Sequence, residues 1–221
     1  MKLLWKALIK FAMGLLLVGA LLFCPAGTLA YPNAWLFICL LFLPILVLGV
    51  VLFCKAPALL EKRLNGKETN ATQKGVVAAS GLLFVGGFVV AGLDFRFGWS
   101  RVPLWVTVLS SVILLLSYAL YAAVMRENAY LSRTIEVQKD QVVVDTGLYG
   151  IVRHPMYAAT VWLFLSIPVV LGSWWSLLCF LPYIAVIAVR ICNEEKLLAE
   201  QLLGYSDYQK RVKYRILPFI W

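Results

Sequence analysis

The amino-acid sequence is poor in charge. Of its 221 residues, 14% are charged and 62% are hydrophobic, whereas soluble domains keep about a quarter of their residues charged. The mean hydropathy is +0.87. A soluble domain of this length could not bury so much apolar side chain, because much of its chain remains at the surface. The composition excludes a soluble fold and predicts an all-α, polytopic integral membrane protein.

Residues that bind metals or form disulfides are also scarce. A single histidine, His154, excludes a multi-histidine metal site, and the five cysteines form no CxxC pair. A zinc site or a disulfide framework is therefore not expected, and we interpret the cysteines as small buried hydrophobes. The basic residues behind the net charge of +9 flank apolar segments, which the positive-inside rule explains better than a nucleic-acid partner.

Four charge-free stretches organise the chain, at residues 11–54, 75–93, 102–125 and 155–189. The first is twice the ~20 residues that a membrane-spanning helix needs, so it holds two spans with a turn near residues 27–33. The last must fold back near Gly172-Ser173, and both arms are then short for a ~30 Å hydrocarbon core. It forms a tight hairpin or a shallower re-entrant one. The total is about six transmembrane segments.

Lysine and arginine predict the orientation. All but two of the 20 lie at the N-terminal end, after the second span, before the hairpin or in the C-terminal segment; Arg96 and Arg101 lie on the other side. Both termini are therefore expected in the cytoplasm. Residues 1–30 also resemble a secretory signal, but a second span follows at once and favours a retained first span.

The third span, which is the second charge-free stretch, carries small residues at three- and four-residue spacing, which allows close helix packing in lipid. They are Gly75, Ala79, Gly81, Gly86, Gly87 and Ala91. We interpret them as a packing face. We divide the chain into four N-terminal transmembrane helices, residues 1–125, and a functional core, residues 126–221.

Polar residues collect in two segments on the predicted cytosolic side, residues 126–157 and the chain after Arg190. In the first, β-rich runs at 134–138 and 141–144 flank a turn signal, which indicates a small hairpin or an extended loop. In the second, Glu194-Glu195 follows the last span, and apolar residues continue at helical spacing to Tyr205. This C-terminal segment is expected to be an amphipathic helix near the membrane surface.

The two ends of the apolar hairpin should come close together. One end carries Arg153-His154-Pro155 and Tyr157, and the other carries Arg190 and Glu194-Glu195. A cationic and aromatic patch that faces two carboxylates suits a zwitterionic ligand. The alternatives are lipid-anchoring arginines, interfacial aromatic residues and a solvated helix face.

The ordered set Gly147-x-Tyr149-x-x-x-Arg153-His154-Pro155-x-Tyr157, followed by a hairpin and Glu194-Glu195-x-x-Leu198, resembles the isoprenylcysteine carboxyl methyltransferase and phospholipid methyltransferase superfamily. The tail is similar too, with Gly204, Tyr208 and Tyr214 before Leu217-Pro218-Phe219. The resemblance covers residues 127–221. It implies an integral membrane enzyme that uses S-adenosyl-L-methionine without a soluble Rossmann domain, and the chain indeed lacks GxGxxG.

The resemblance also implies roles for individual residues. The cofactor would be held by Gln138, Gln141, Val142, Val143, Val144, Tyr149, His154, Pro155, Met156, Tyr157, Glu194 and Glu195. Arg190 and Arg153 are the candidate catalytic residues, and Arg190 is the nearest match to the acceptor-facing arginine of the family. No general base and no metal are assigned.

These expectations describe a methyltransferase whose acceptor is lipophilic and enters from membrane lipid. The acceptor stays open between a prenylcysteine-like carboxylate, a phospholipid amine and a small thiol. Two alternatives remain from other classes, a non-catalytic membrane scaffold and a small-solute transporter. A transporter would be expected to carry ionisable groups near the membrane midplane, where these spans have none.

Overall fold

The computed structural model describes residues 2–65, 71–128, 130–131 and 137–221. Its regular structure in these ranges is helical. The helices are α1 (Lys2–Ala26), α2 (Pro32–Lys55), α3 (Pro57–Asn65), α4 (Ala71–Phe97), α5 (Leu104–Glu127), α6 (Pro155–Val170), α7 (Trp174–Phe180), α8 (Tyr183–Gln201) and α9 (Tyr205–Arg211), with a 3-10 turn at Gly147–Gly150. The predicted all-α, polytopic membrane bundle is confirmed.

Five helical segments of the described chain are long and apolar enough to cross a membrane. They are Leu3–Ala26, Pro32–Lys55, Lys74–Phe97, Leu104–Glu127 and Trp174–Gln201, the last formed by α7 and α8 together. Helix α6 is apolar but has only 16 residues, which gives a length of about 24 Å. It is the short first arm of the predicted hairpin, and the chain turns at Gly172, whose φ is +82°.

Hydrogen bonds join the interhelical turns at one end of the bundle, which we call the turn end (residues 27–31, 98–103 and 171–173). The Tyr31 hydroxyl donates to the Leu171 carbonyl at 2.5 Å. Asp94, which is 1% exposed, accepts hydrogen bonds from the Ser100 amide at 2.7 Å and from the Ser173 hydroxyl. Since these donors satisfy a buried carboxylate, the turns between α4 and α5 and between α6 and α7 are held together.

Close packing of α4 depends on fewer small residues than predicted. A Cβ at Gly87 would lie 2.2 Å from the Phe180 ring, and one at Gly92 would lie 2.6 Å from the Leu22 carbonyl oxygen. A Cβ at Gly75, Gly81 or Gly86 would meet no atom within 4 Å. The packing face is therefore confirmed near the turn end only, and Gly92, which the spacing did not single out, belongs to it.

The interpretation of the cysteines as small buried residues is wrong. Cys24, Cys39, Cys54 and Cys192 are exposed, and Cys179 is half-buried. The tendency of free cysteine to be buried holds for water-soluble proteins, whereas the outer face of this bundle is apolar. In lipid, an apolar side chain on the outer face of a helix loses nothing by being exposed.

Two expectations for the polar segments need correction. No strand forms at residues 137–138 and 141–145, and the chain turns between them at Asp140, whose φ is +58°. The described part of this segment is therefore an extended loop. Residues 134–136 of the predicted first run lie outside the described residues. Helical spacing does not continue to Tyr205. Helix α8 ends at Gln201, and Gly204 in the left-handed conformation (φ +84°) redirects the chain into α9.

Candidate active site

A cavity of about 90 Å³ opens at the end of the bundle opposite the turn end. It lies between the start of α6, the end of α8, α9 and the extended loop that follows α5. Of the fourteen residues predicted for the site, eleven line this cavity. They are Gln141, Val142, Val143, Val144, Tyr149, Arg153, His154, Met156, Tyr157, Arg190 and Glu194. The chain thus brings together side chains separated by up to 53 positions, from Gln141 to Glu194.

The 3-10 turn places Tyr149 in the cavity wall. The turn begins at Gly147 with a φ of +56°, a conformation that costs a residue with a side chain about 1–2 kcal/mol. A Cβ there would also lie 2.7 Å from the Glu127 carboxylate. That carboxylate, at the end of α5, accepts the Leu148 amide hydrogen at 2.9 Å. Glu127 therefore anchors the turn to α5.

Glu195 is buried beneath the cavity and does not line it. Its Oε1 accepts hydrogen bonds from the Arg153 Nε at 2.6 Å and from the His154 Nε2 at 3.2 Å. Its Oε2 accepts from the Arg215 Nε at 2.8 Å. A carboxylate that is 5% exposed and has three donors is electrostatically satisfied by the protein itself.

Arg153 is held just as firmly. Besides Glu195, its Nη1 donates to the carbonyl oxygens of Val212 at 2.7 Å and Lys213 at 2.9 Å. The backbone amides of Arg153 and His154 donate to the Tyr214 and Arg215 carbonyls at 2.9 and 2.8 Å. The C-terminal tail therefore fixes the entry into α6. The catalytic role of Arg153 stays a prediction, and the contacts themselves are those of a residue that positions α6 and Glu195.

A second chain of polar contacts crosses the inner part of the cavity. The Arg190 Nε donates to the Tyr157 hydroxyl at 2.9 Å, and this hydroxyl donates to Glu194 Oε2 at 2.6 Å. The Arg190 guanidinium also lies 6.0 Å from the centre of the Tyr157 ring. Arg190 precedes Glu194 by one helical turn, so both side chains lie on the face of α8 that meets Tyr157 of α6.

The remaining predicted residues contribute without lining the cavity. The Gln138 side chain donates to the Tyr130 carbonyl, and its backbone amide donates to Gln141 Oε1 at 2.9 Å, so Gln138 shapes the extended loop. Pro155 starts α6, where its missing amide hydrogen costs no helical hydrogen bond.

Three tyrosines enclose the cavity on the side of the loop and α9. Burial raises the pKa of the Tyr149 phenol to about 12. Burial also raises the pKa of Tyr205 and of Tyr208 well above the usual value for tyrosine. The Tyr208 hydroxyl donates to the Tyr149 carbonyl at 2.8 Å. All three phenols therefore remain neutral hydrogen-bond donors at physiological pH.

Several residues that form the site were not predicted from the sequence. Asn128, Leu198, Leu202, Tyr205 and Tyr208 line the cavity, and Arg215 is the third donor to Glu195. The tail motif, with Gly204 and Tyr208, was the signal that α9 belongs to the site. Nothing in the spacing indicated Arg215, because its contact with Glu195 depends on the return of the tail.

Comparison with known proteins agrees with this geometry. Residues 104–203 match the family model described as phospholipid methyltransferase. The resemblance of the chain to the isoprenylcysteine carboxyl methyltransferase and phospholipid methyltransferase superfamily is thus confirmed. Among solved structures it is similar to the eukaryotic intramembrane Ras methyltransferase ICMT (isoprenylcysteine carboxyl methyltransferase), with a TM-score of 0.57 and 19% identity over 97% of this chain and 77% of that one. At this identity the likeness shows the fold. No curated protein sequence matches.

The family match and the shared fold support an integral membrane, multi-pass methyltransferase. The matched segment begins at Leu104 and so includes α5, whose Glu127 anchors the 3-10 turn. The division at residue 125 stays a prediction.

Proposed function

We propose that the chain transfers a methyl group from S-adenosyl-L-methionine to a lipophilic acceptor at the cytosolic face of the membrane. The observation that carries this proposal is the cavity itself. It joins a carboxylate, two arginines, five tyrosines and the extended loop at the end of the membrane helices. A site at this level is open to a polar cofactor from water and to an apolar acceptor from lipid.

The residues present fit an S-adenosyl compound. Glu194 faces the cavity and suits the α-ammonium group, whereas Glu195, with its three protein donors, supports His154 and Arg153 from below. The tyrosine rings and Val142–Val144 offer apolar surface for an adenine ring. The buried Tyr205 hydroxyl has no hydrogen-bond partner among the described residues, as expected of a group that binds a ligand.

Methyl transfer requires the protein mainly to align the methyl donor with the acceptor. When bound, S-adenosyl-L-methionine supplies a methyl group on a sulfonium, which a nucleophile displaces in line. Fixed positions for donor and acceptor can lower such a barrier by about 7–11 kcal/mol. The rigid contacts among Arg153, Glu195 and the C-terminal tail, and the chain from Arg190 to Glu194, provide these positions. No described contact singles out a general base.

Arg190 favours an anionic acceptor. Among the α8 residues that line the cavity, it is the closest to the transmembrane part of the helix. A guanidinium there attracts a carboxylate or a thiolate and disfavours an ammonium group. The prenylcysteine-like carboxylate and the small thiol therefore fit the site better than the phospholipid amine.

Calorimetric titration of the detergent-purified protein with S-adenosylhomocysteine tests the proposal. We expect micromolar binding that is lost in Glu194→Gln, which removes the charge but keeps the shape. Glu200→Gln is the matched control, because Glu200 is exposed on the same helix. Methyl transfer from labelled cofactor to extracted lipids, prenylcysteine analogues and thiols then identifies the acceptor.

The outcomes separate the alternatives. No binding by wild-type protein with a cooperative thermal transition would refute the methyltransferase proposal. Cofactor binding without transfer to any of the three acceptor classes would favour a scaffold. Solute flux in proteoliposomes that does not depend on a methyl donor would favour a transporter.

A further inference from the structure

The Tyr205 hydroxyl is buried at the cavity and lacks a partner. Its residue is 4% exposed, and the hydroxyl is one of two buried side-chain groups in the described ranges with no hydrogen bond, the other being the Asn193 amide. Only Tyr205 of these two lines the cavity. Because burying a polar group without a partner is costly, such a group in a native protein calls for a specific explanation.

The other tyrosine hydroxyls around the cavity already have partners. Tyr157 bonds both Arg190 and Glu194. Tyr208 donates to the Tyr149 carbonyl at 2.8 Å. Tyr205 thus differs from its neighbours in having a donor that no described protein group uses.

The position of Tyr205 is fixed by its surroundings. It is the first residue of α9, directly after the left-handed Gly204. Its ring lies 5.6 Å from the Tyr208 ring and packs in a cluster with Leu202 and Val143. A tyrosine held in this way has few rotamers to lose when a ligand binds, so its hydroxyl is preorganised as a donor.

We infer that Tyr205 is a ligand-binding residue whose hydroxyl donates a hydrogen bond to the S-adenosyl compound bound in this cavity. The inference rests on the proposed function. It assigns to α9 a direct part in binding, in addition to the cofactor residues that the resemblance implies within 138–157 and at Glu194 and Glu195.

Tyr205→Phe tests this, because it removes the hydroxyl and keeps the ring. We expect the dissociation constant for S-adenosylhomocysteine, measured by calorimetry, to rise about 3- to 10-fold. The thermal transition of the ligand-free protein should not fall, since no protein hydrogen bond is lost. Tyr208→Phe is the matched control: it removes the donor to the Tyr149 carbonyl, so the ligand-free protein should melt at a lower temperature.

The possible results are distinct. Unchanged affinity in Tyr205→Phe, while wild type binds, would overturn the inference and leave the proposed function intact. A fall in the ligand-free melting temperature as large as that of Tyr208→Phe would also overturn it, because the hydroxyl would then stabilise the fold. Absence of binding by folded wild type would refute the proposed function, and the inference with it.

Discussion

Replacement of Glu195 by alanine should destabilise the folded site, whether or not Glu195 contacts the cofactor. Glu195 and Arg153 pair at 2.6 Å with side chains 6% and 8% exposed. Removal of one partner leaves the other charge buried, which costs about 3–5 kcal/mol. In a chain of this length 1 kcal/mol corresponds to about 2–4 °C, so the expected fall in melting temperature is roughly 6–20 °C. Loss of cofactor binding in Glu195→Ala would therefore not by itself identify a cofactor ligand.

Thermal unfolding in detergent, followed by intrinsic tryptophan fluorescence without ligand, measures this effect. Arg215→Ala should cost less, about 1.5–3 kcal/mol, because Arg215 is 30% exposed and Glu195 keeps two donors. Glu200→Ala, exposed on the same helix, should be neutral. A Glu195→Ala protein that melts within 2 °C or so of wild type would contradict the view that this ion pair holds the site together.

Three further predictions follow from individual contacts. Gly87→Ala should destabilise the protein by about 1–3 kcal/mol in thermal unfolding, because its Cβ would collide with an aromatic ring, whereas Gly86→Ala, which meets no atom, should not. The free energy of unfolding should be constant up to pH 10 or so and fall as the pH rises towards 12. The reason is that the pKa of Tyr149 is near 10 in the unfolded chain and about 12 in the folded protein. Tyr149→Phe should reduce this loss of stability at alkaline pH. In a cysteine-free background, Ser206→Cys should react with an impermeant maleimide from the cytosolic side only, and Trp99→Cys from the opposite side only; the reverse pattern would refute the cytosolic active site.

The helices and the polar clusters could be predicted because hydropathy reports membrane burial directly. The lengths of the charge-free stretches predicted the membrane spans. The 35 residues from Pro155 to Val189 had to fold into a hairpin, whether it crosses the membrane or only enters it. The ordered motif located most of the cavity wall, because its residues lie on two segments that the hairpin must bring together.

The individual contacts of the site could not be predicted, because they depend on the path of the non-helical backbone. A single left-handed residue, Gly204, turns Tyr205 from a continuation of α8 into part of the cavity wall. Likewise, the sequence does not reveal that Arg153 and Arg215 reach Glu195, whose part in cofactor binding stays a prediction. Gly92 matters for close packing and Gly75 does not, because a neighbouring helix lies against Gly92 only. The spacing of small residues does not reveal which helix lies opposite.

The contacts of the C-terminal tail also set an order of assembly during synthesis. The backbone amides of Arg153 and His154 donate to the carbonyls of residues 214–215, and the Arg153 Nη1 donates to those of residues 212–213. The hydrogen bonds of the turn end join residues 31–176, so they can form once α7 has been made. The cavity end cannot form until the chain reaches Arg215, which lies 35 residues after the end of α7 at Phe180. The turn end of a nascent chain is therefore complete before α8, α9 and the C-terminal tail can form the cavity.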